Sequence, residues 1–251
     1  MDQRPISIAS HQRVVVLTGA GISAESGIRT FRDAGGLWEN HRIEEVASPE
    51  GWAAAPGNVW RFYSARRAQA RECVPNAAHR ALADLESKIG ERFDLITQNV
   101  DDLHERGGSI RVSHMHGELA LSRCEDHACG TEPFLDSRLY ESIDKIARCA
   151  CGARIRPHIV WFGEEPFEMR RIQAAVLRCD LFVVIGTSGA VYPAAGLVNL
   201  ISARRADGAT ARAIYIGPEP PLNASSFQEI RLGTACEIVP TLFHVRESEA
   251  E

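Results

Sequence analysis

Four short, mainly apolar runs rich in β-branched residues recur along the chain: Val14-Val15-Val16-Leu17, Phe93-Asp94-Leu95-Ile96, Leu181-Phe182-Val183-Val184-Ile185-Gly186 and Ala213-Ile214-Tyr215-Ile216-Gly217. Each stops at small or polar residues, the first at Thr18-Gly19-Ala20-Gly21, as a buried parallel strand does where it enters a turn. Between the runs, apolar residues fall at helical spacing over 77–89 and 167–177. Strands alternating with helices predict an α/β fold whose main domain is a parallel sheet.

Two stretches break this rhythm. Residues 40–72 contain no strand-like run, but Val59, Phe62 and Tyr63 sit at helical spacing and predict a small helical module. Residues 119–157 hold four of the seven cysteines and few large apolar residues, so this stretch is expected to lack a core of its own and to need a metal. An odd cysteine count fits a fully paired disulfide framework poorly and reduced thiols better. Cys124-x4-Cys129 and Cys149-x-Cys151 are two short pairs with 19 residues between them. Two such pairs can close on one tetrahedral Zn²⁺ at about 2.3 Å, leaving no open position for catalysis. Four unligated thiols are the alternative, and His127 inside the first pair could replace a cysteine. Cys73, Cys179 and Cys236 read as small buried residues.

A length of 251 residues allows one large domain or one with a smaller insertion. With 45% apolar and 24% charged residues, disordered, collagen-like and coiled-coil classes are excluded. The 28 basic and 33 acidic side chains leave a net charge of −5, which argues against direct nucleic-acid binding over the whole surface. The longest apolar run falls far short of the ~20 residues that span a bilayer, and residues 1–10 have no signal-like apolar segment. A cytoplasmic protein with no membrane partner is the expectation.

Gly19-Ala20-Gly21-Ile22-Ser23-Ala24 fits the G-x-G-x-x-G/A turn, in which glycines let backbone amides approach a pyrophosphate at a helix N-terminus. Alone, it fits a ligand-free strand-to-helix turn as well. The continuation is more particular: Glu25-Ser26-Gly27-Ile28-Arg29-Thr30-Phe31-Arg32 leads into Asp33-Ala34-Gly35-Gly36-Leu37-Trp38, a polar Gly-rich loop able to fold over a ligand. With Gln98-Asn99-Val100-Asp101, Leu103-His104, His116-Gly117 and Gly186-Thr187-Ser188 following in order, residues 13–240 resemble the sirtuins, NAD-dependent protein-lysine deacylases. The nearest resemblance is to the bacterial and mitochondrial branch that removes acidic acyl groups.

That resemblance implies a discontinuous Rossmann-like NAD-binding domain of residues 1–39, 73–118 and 158–251, with the helical module at 40–72 and a zinc-binding module at 119–157. It implies NAD as co-substrate, one structural zinc on Cys124, Cys129, Cys149 and Cys151, and acylated lysines of proteins bound as extended peptide. In the implied reaction the acyl oxygen attacks the nicotinamide ribose, nicotinamide leaves, and a ribose hydroxyl and then water resolve the adduct to O-acyl-ADP-ribose. His116 matches the family's general base, and an imidazole accepts a proton near neutral pH; a lone histidine is otherwise more often structural. Gln98 and Asn99 would face ribose, and Asp101 the nicotinamide carboxamide. Asp102 reads as a helix N-cap. Phe31 and Arg32, with Thr30 and Trp38, would shield the reactive ribose. Gly19, Ala20, Gly21, Ile22, Ser23, Gly186, Thr187 and Ser188 complete the cofactor set. Gly217 stands where many sirtuins have Asn, so only backbone atoms of Gly217 and Pro218 would reach adenosine, whose end Ala235 and Cys236 would close.

Ile159-Val160-Trp161-Phe162-Gly163-Glu164 alternates like a strand edge, and the resemblance makes Val160, Phe162, Gly163 and Val191 peptide contacts by strand addition. A plain core strand is the competing reading. Tyr63 and Arg66, spaced i and i+3 on the helical module, point the same way, while Arg67 points elsewhere. A phenol and a guanidinium on one pocket suit a carboxylate at the end of an acyl chain, with the small Ala34 leaving room. Such a pair is otherwise plain helix surface. The function expected is removal of succinyl, malonyl and also acetyl groups; alternatives are a predominant deacetylase, a hydride-transferring NAD oxidoreductase, or a non-enzymatic zinc module.

Overall fold

Asp94 apart, the strand runs are apolar because both faces of the sheet they form are covered, and alternate residues feed two separate cores. The computed structural model describes residues 4–29, 37–38 and 41–246. Its strands in chain order are β1 (Ile6–Ile8), β2 (Val14–Thr18), β3 (Leu37–Trp38), β4 (His41–Arg42), β5 (Phe93–Thr97), β6 (Val112–His114), β7 (Gly117–Cys124), β8 (Phe134–Leu135), β9 (Ile155–Ile159), β10 (Leu181–Ile185), β11 (Arg212–Gly217), β12 (Glu229–Leu232) and β13 (Phe243–Val245). Its α-helices are α1 (Ile43–Val46), α2 (Pro49–Ala54), α3 (Pro56–Glu72), α4 (Ala77–Ile89), α5 (Leu103–Arg106), α6 (Met169–Arg178), α7 (Leu197–Ala206) and α8 (Ala235–Ile238).

Six strands form one parallel sheet in the order β12-β11-β10-β2-β5-β6. On one face Val14, Val16, Leu95, Val183, Ile185, Ile214 and Ile216 pack with Ala78, Leu82, Leu85 and Ile89 of α4. On the other, Val15, Leu17, Ile96, Phe182, Val184 and Tyr215 pack with Ile172 and Val176 of α6 and Leu197, Val198 and Ile201 of α7. From β2 the chain order runs outward in both directions, so the switch point of the sheet lies beside β2, where such sheets open a crevice at the carboxyl ends of their strands. The loops after β2, β5 and β10 all emerge there.

A second lobe is built from α1 to α3 and a three-stranded antiparallel sheet, β8-β7-β9. Its core joins Val46, Trp52, Val59, Trp60, Phe62 and Tyr63 from the helices to Tyr140, Ile146, Ile155, Ile159 and Trp161. The cysteine-rich stretch therefore borrows its core from the helices. The strand expected to run on to residue 164 ends at Ile159 instead. Beyond it, Glu164 carboxylate takes the Trp161 N–H at 2.8 Å, Phe162 N–H donates to the Ala47 carbonyl at 3.0 Å, and the Glu164 N–H turns back to the Trp161 carbonyl at 2.9 Å. Among the described residues no helix is long and apolar enough to cross a membrane.

Arg67 ties α3 to the sheet. Only 3% exposed, its guanidinium donates to the carbonyls of Leu119, Leu121 and Arg138 and to the Ser122 hydroxyl, and it lies 3.7 Å from Asp136. Removing one partner from a buried, fully bonded charge pair typically costs about 3–5 kcal/mol. We predict a loss of that order for Arg67→Leu, read by urea denaturation followed through tryptophan fluorescence. A loss below about 1 kcal/mol would show that the carbonyls find other donors.

Candidate active site

The cleft at the switch point holds about 400 Å³ and runs between the two lobes. It is floored by Gly19, Ala20 and Gly21 after β2, Gln98, Asn99 and Asp101 after β5, and Gly186, Thr187 and Ser188 after β10. His116, between β6 and β7, lines it with Tyr63 and Arg66 of α3, Val160, Phe162 and Gly163 after β9, and Val191. Gly217, Pro218 and Ala235 border the same space. Residues as far apart in the chain as Gly19 and Ala235 thus face one cavity.

The glycines are there for close approach. A Cβ on residue 21 would stand 2.6 Å from the Gly186 Cα, and one on residue 19 would stand 2.9 Å from the Gly186 carbonyl oxygen. Their absence lets the Gly21 N–H donate to the Gly186 carbonyl at 2.8 Å.

Below the floor lies a polar layer. Ser23 is fully buried, its hydroxyl donating toward Asp101 at 3.3 Å and accepting from the Asn99 amide at 3.1 Å, with His79 Nε2 at 3.4 Å. Thr18 hydroxyl lies 2.8 Å from that of Thr97 and 2.9 Å from His104 Nε2. Burial lowers His79 to about 4 and holds His104 well below its ordinary range, so both rings are neutral at pH 7. Burial also pushes the Asp101 carboxyl up to about 6, against the opposing hydrogen bonds from the Leu103 N–H and the Ser23 hydroxyl. His116 is lowered by burial, with the Gln98 carbonyl pulling the other way from 3.2 Å off Nδ1. That contact makes Nδ1 the protonated nitrogen and leaves the basic lone pair on Nε2.

At the small-lobe end, Tyr63 is fully buried and its oxygen accepts from Trp161 Nε1 at 3.1 Å, while the Arg66 guanidinium lies 5.3 Å from the Phe62 ring. Burial raises Tyr63 far above the usual phenol range, so it is a neutral hydroxyl at any working pH.

The Sγ atoms of Cys124, Cys129, Cys149 and Cys151 lie within 4.8 Å of one another. Cys124 and Cys151 are 3.5 Å apart, and Cys129 and Cys149 3.6 Å. Four thiolates on one tetrahedral zinc at about 2.3 Å stand about 3.8 Å apart, so the donor set and spacing fit that ion. The Thr131 hydroxyl reaches both Cys129 and Cys149, at 3.2 and 3.4 Å. His127 is outside the cluster.

Several expected residues sit elsewhere. Ile22 is packed in the sheet core and Ser23 lies behind the floor, neither lining the cleft. Cys236 also does not line it; half-buried rather than buried, it gives its backbone N–H to Glu25 at 3.1 Å. Asp102 occupies the N-cap position of α5 without a capping bond and pairs with Arg106 at 3.3 Å; the bond to the Leu103 N–H comes from Asp101, at 3.2 Å. Thr30, Phe31, Arg32 and Ala34 lie outside the described residues, as does the side chain of Trp38. Ser23 as a hub, and Glu25 as the acceptor for Thr234 and Cys236, carry no periodic signal in the sequence.

A model of the Sir2 family matches residues 19–193. The chain is 50% identical over 236 residues to an NAD-dependent protein deacylase of Pasteurella multocida strain Pm70, covering 91% of this chain and 95% of that one. Among solved structures it resembles a Sir2 homologue in complex with NAD (TM-score 0.80, 39% identity, 92% of this chain and 88% of that one) and a Sir2 homologue mutant with ADP-ribose (TM-score 0.81, 38%, 92% and 90%).

The raised Asp101 has a consequence for stability. An unfolded aspartate releases its proton near 3.8, the folded one near 6, so below the first value burial carries no ionic penalty. As pH rises through about 6 that advantage is lost, and at pH 7 the ionised form costs up to about 3 kcal/mol. Asp101→Asn is therefore predicted to raise the thermal stability of the ligand-free protein at about pH 7.5 and to gain less than about half as much near pH 4.5. Equal gains at the two pH values, or a loss at the higher one, would contradict the burial argument.

Proposed function

The chain belongs to the Sir2 family and is an NAD-dependent protein deacylase, and from that premise we propose that it removes succinyl and malonyl groups from lysine in addition to acetyl. The observation that carries this reading is the placement of Tyr63 and Arg66, one turn apart on α3, on the same cleft as His116. Arg66 supplies a permanent charge and Tyr63 a neutral hydroxyl, a pair suited to a carboxylate at the end of an acyl chain.

NAD supplies an electrophilic ribose carbon and nicotinamide as leaving group. In the proposed division of labour the glycine turn and Gly186, Thr187 and Ser188 hold the dinucleotide, Gln98 and Asn99 orient the ribose, and Asp101 binds the carboxamide. His116 takes the proton of a ribose hydroxyl at Nε2; burial lowers its titration and so favours the neutral, proton-accepting form. The acyl-lysine peptide would lie along Val160, Phe162, Gly163 and Val191. The N–H groups of Val160, Trp161 and Phe162 are already bonded within the protein, so this stretch offers less of a ladder than a strand edge; strand addition reads main chain more than sequence, so sequence selectivity should be loose. Cys124, Cys129, Cys149 and Cys151 would hold a zinc that closes the small lobe and takes no part in the chemistry. A reducing compartment such as the cytoplasm suits those thiolates.

His116→Ala is predicted to lower deacylation by ~10²-fold or more, the usual worth of a general base, while calorimetric NAD affinity changes little. A variant retaining most of the wild-type turnover would remove His116 from this role. Arg66→Met removes a charge-assisted hydrogen bond worth roughly 1.5–3 kcal/mol, so the ratio of desuccinylation to deacetylation efficiency on one peptide should fall on the order of 10- to 100-fold. An unchanged ratio would leave a plain deacetylase.

A further inference from the structure

Tyr215 lies on β11, fully buried, with its ring edge-on to Phe227 at 5.6 Å. Its hydroxyl donates to the Thr187 carbonyl at 3.0 Å. On one side of Thr187 the loop is anchored by Gly186, whose N–H donates to the Ile216 carbonyl at 2.8 Å. On the other, the Ser188 carbonyl accepts the Leu222 N–H at 3.0 Å. The Thr187 carbonyl between these anchors is set by the tyrosine.

A trans peptide is planar, with its C=O and N–H directed oppositely. Fixing the Thr187 carbonyl on Tyr215 therefore also fixes the direction of the Ser188 N–H, and Thr187 and Ser188 both border the cleft. Gly217 belongs to the same arrangement. A Cβ there would stand 2.3 Å from the Tyr215 hydroxyl oxygen and 2.8 Å from Cζ, and residue 217 is not in the left-handed region, so its glycine is demanded by space and not by backbone conformation.

We propose that Tyr215 is a positioning residue for NAD: its hydroxyl sets the peptide plane between Thr187 and Ser188 that the cofactor meets, and Gly217 is the space this contact requires. This rests on reading the loop at 186–188 as the NAD-facing loop. The phenol thereby explains why residue 217 carries no side chain to offer the ligand.

Tyr215→Phe keeps the ring and its packing and loses only the bond to Thr187. The expected result is a rise of about three- to tenfold in KM for NAD, with kcat and the KM for acyl-peptide each within about twofold of wild type. Calorimetry should show NAD affinity weakened by the same factor. Gly217→Ala, which forces the phenol aside, should weaken NAD at least as much in the wild-type background but add less than about twofold in Tyr215→Leu, where the ring is gone. An unchanged NAD affinity in folded Tyr215→Phe, or the same effect of Gly217→Ala in both backgrounds, overturns the proposal. Calorimetry reads NAD affinity without turnover, so a failure here is distinguishable from a failure of the deacylase reading.

Discussion

Two stretches of backbone can meet at hydrogen-bonding distance only where no side chain stands between them, and the active cleft depends on one such meeting. The turn after β2 and the loop after β10 touch through Gly19, Gly21 and Gly186, with Gly186 at φ 65°. Any Cβ at residue 21 would push the loops apart by about an ångström and break the bond from its N–H to the Gly186 carbonyl. The parallel sheet delivers the three loops to the same end of the molecule; the glycines decide how near they come.

On that base sits a layer of buried polar groups with little slack. Ser23 joins the β2 turn to Asn99 and Asp101 after β5, and Asn76 fastens the same turn to α4, its amide donating to the Ile22 carbonyl at 2.8 Å and its oxygen capping the helix. His79 and His104 stay neutral because burial makes their charge too expensive. Asp101 is under the same pressure: its burial makes the ionised form costly at neutral pH. A ligand that donates to it would relieve that pressure.

What the sequence made legible follows from the range of the forces involved. The sheet strands were readable because a double-covered strand is apolar at nearly every position, Asp94 of β5 being the exception, and the observed bounds of β2, β5, β10 and β11 differ from the runs by a residue at most. Most cleft residues were readable because they cluster in the loops after those strands. The stretch after Ile159 was not: its alternation is genuine, but Glu164 folds back onto the Trp161 N–H, and His116 and Ala47 claim those of Val160 and Phe162 from elsewhere in the chain. Nor could spacing separate Asp101 from Asp102, since both can reach the start of α5 and only burial beside Ser23 decides between them. Arg67 was placed away from Arg66 by helix geometry, yet the three carbonyls it serves come from another module.

α3 has two duties on two faces. Toward the cleft it presents Tyr63 and Arg66; toward β7 it inserts Arg67 among the carbonyls of the sheet that ends at Cys124. On the reading proposed above, acyl recognition and the frame of the thiol cluster therefore depend on one helix. A chimera that transplanted α3 alone would carry an arginine whose acceptors stayed behind, so a graft of the proposed acyl pocket has to move α3, β7 and the Asp136–Tyr140 corner together.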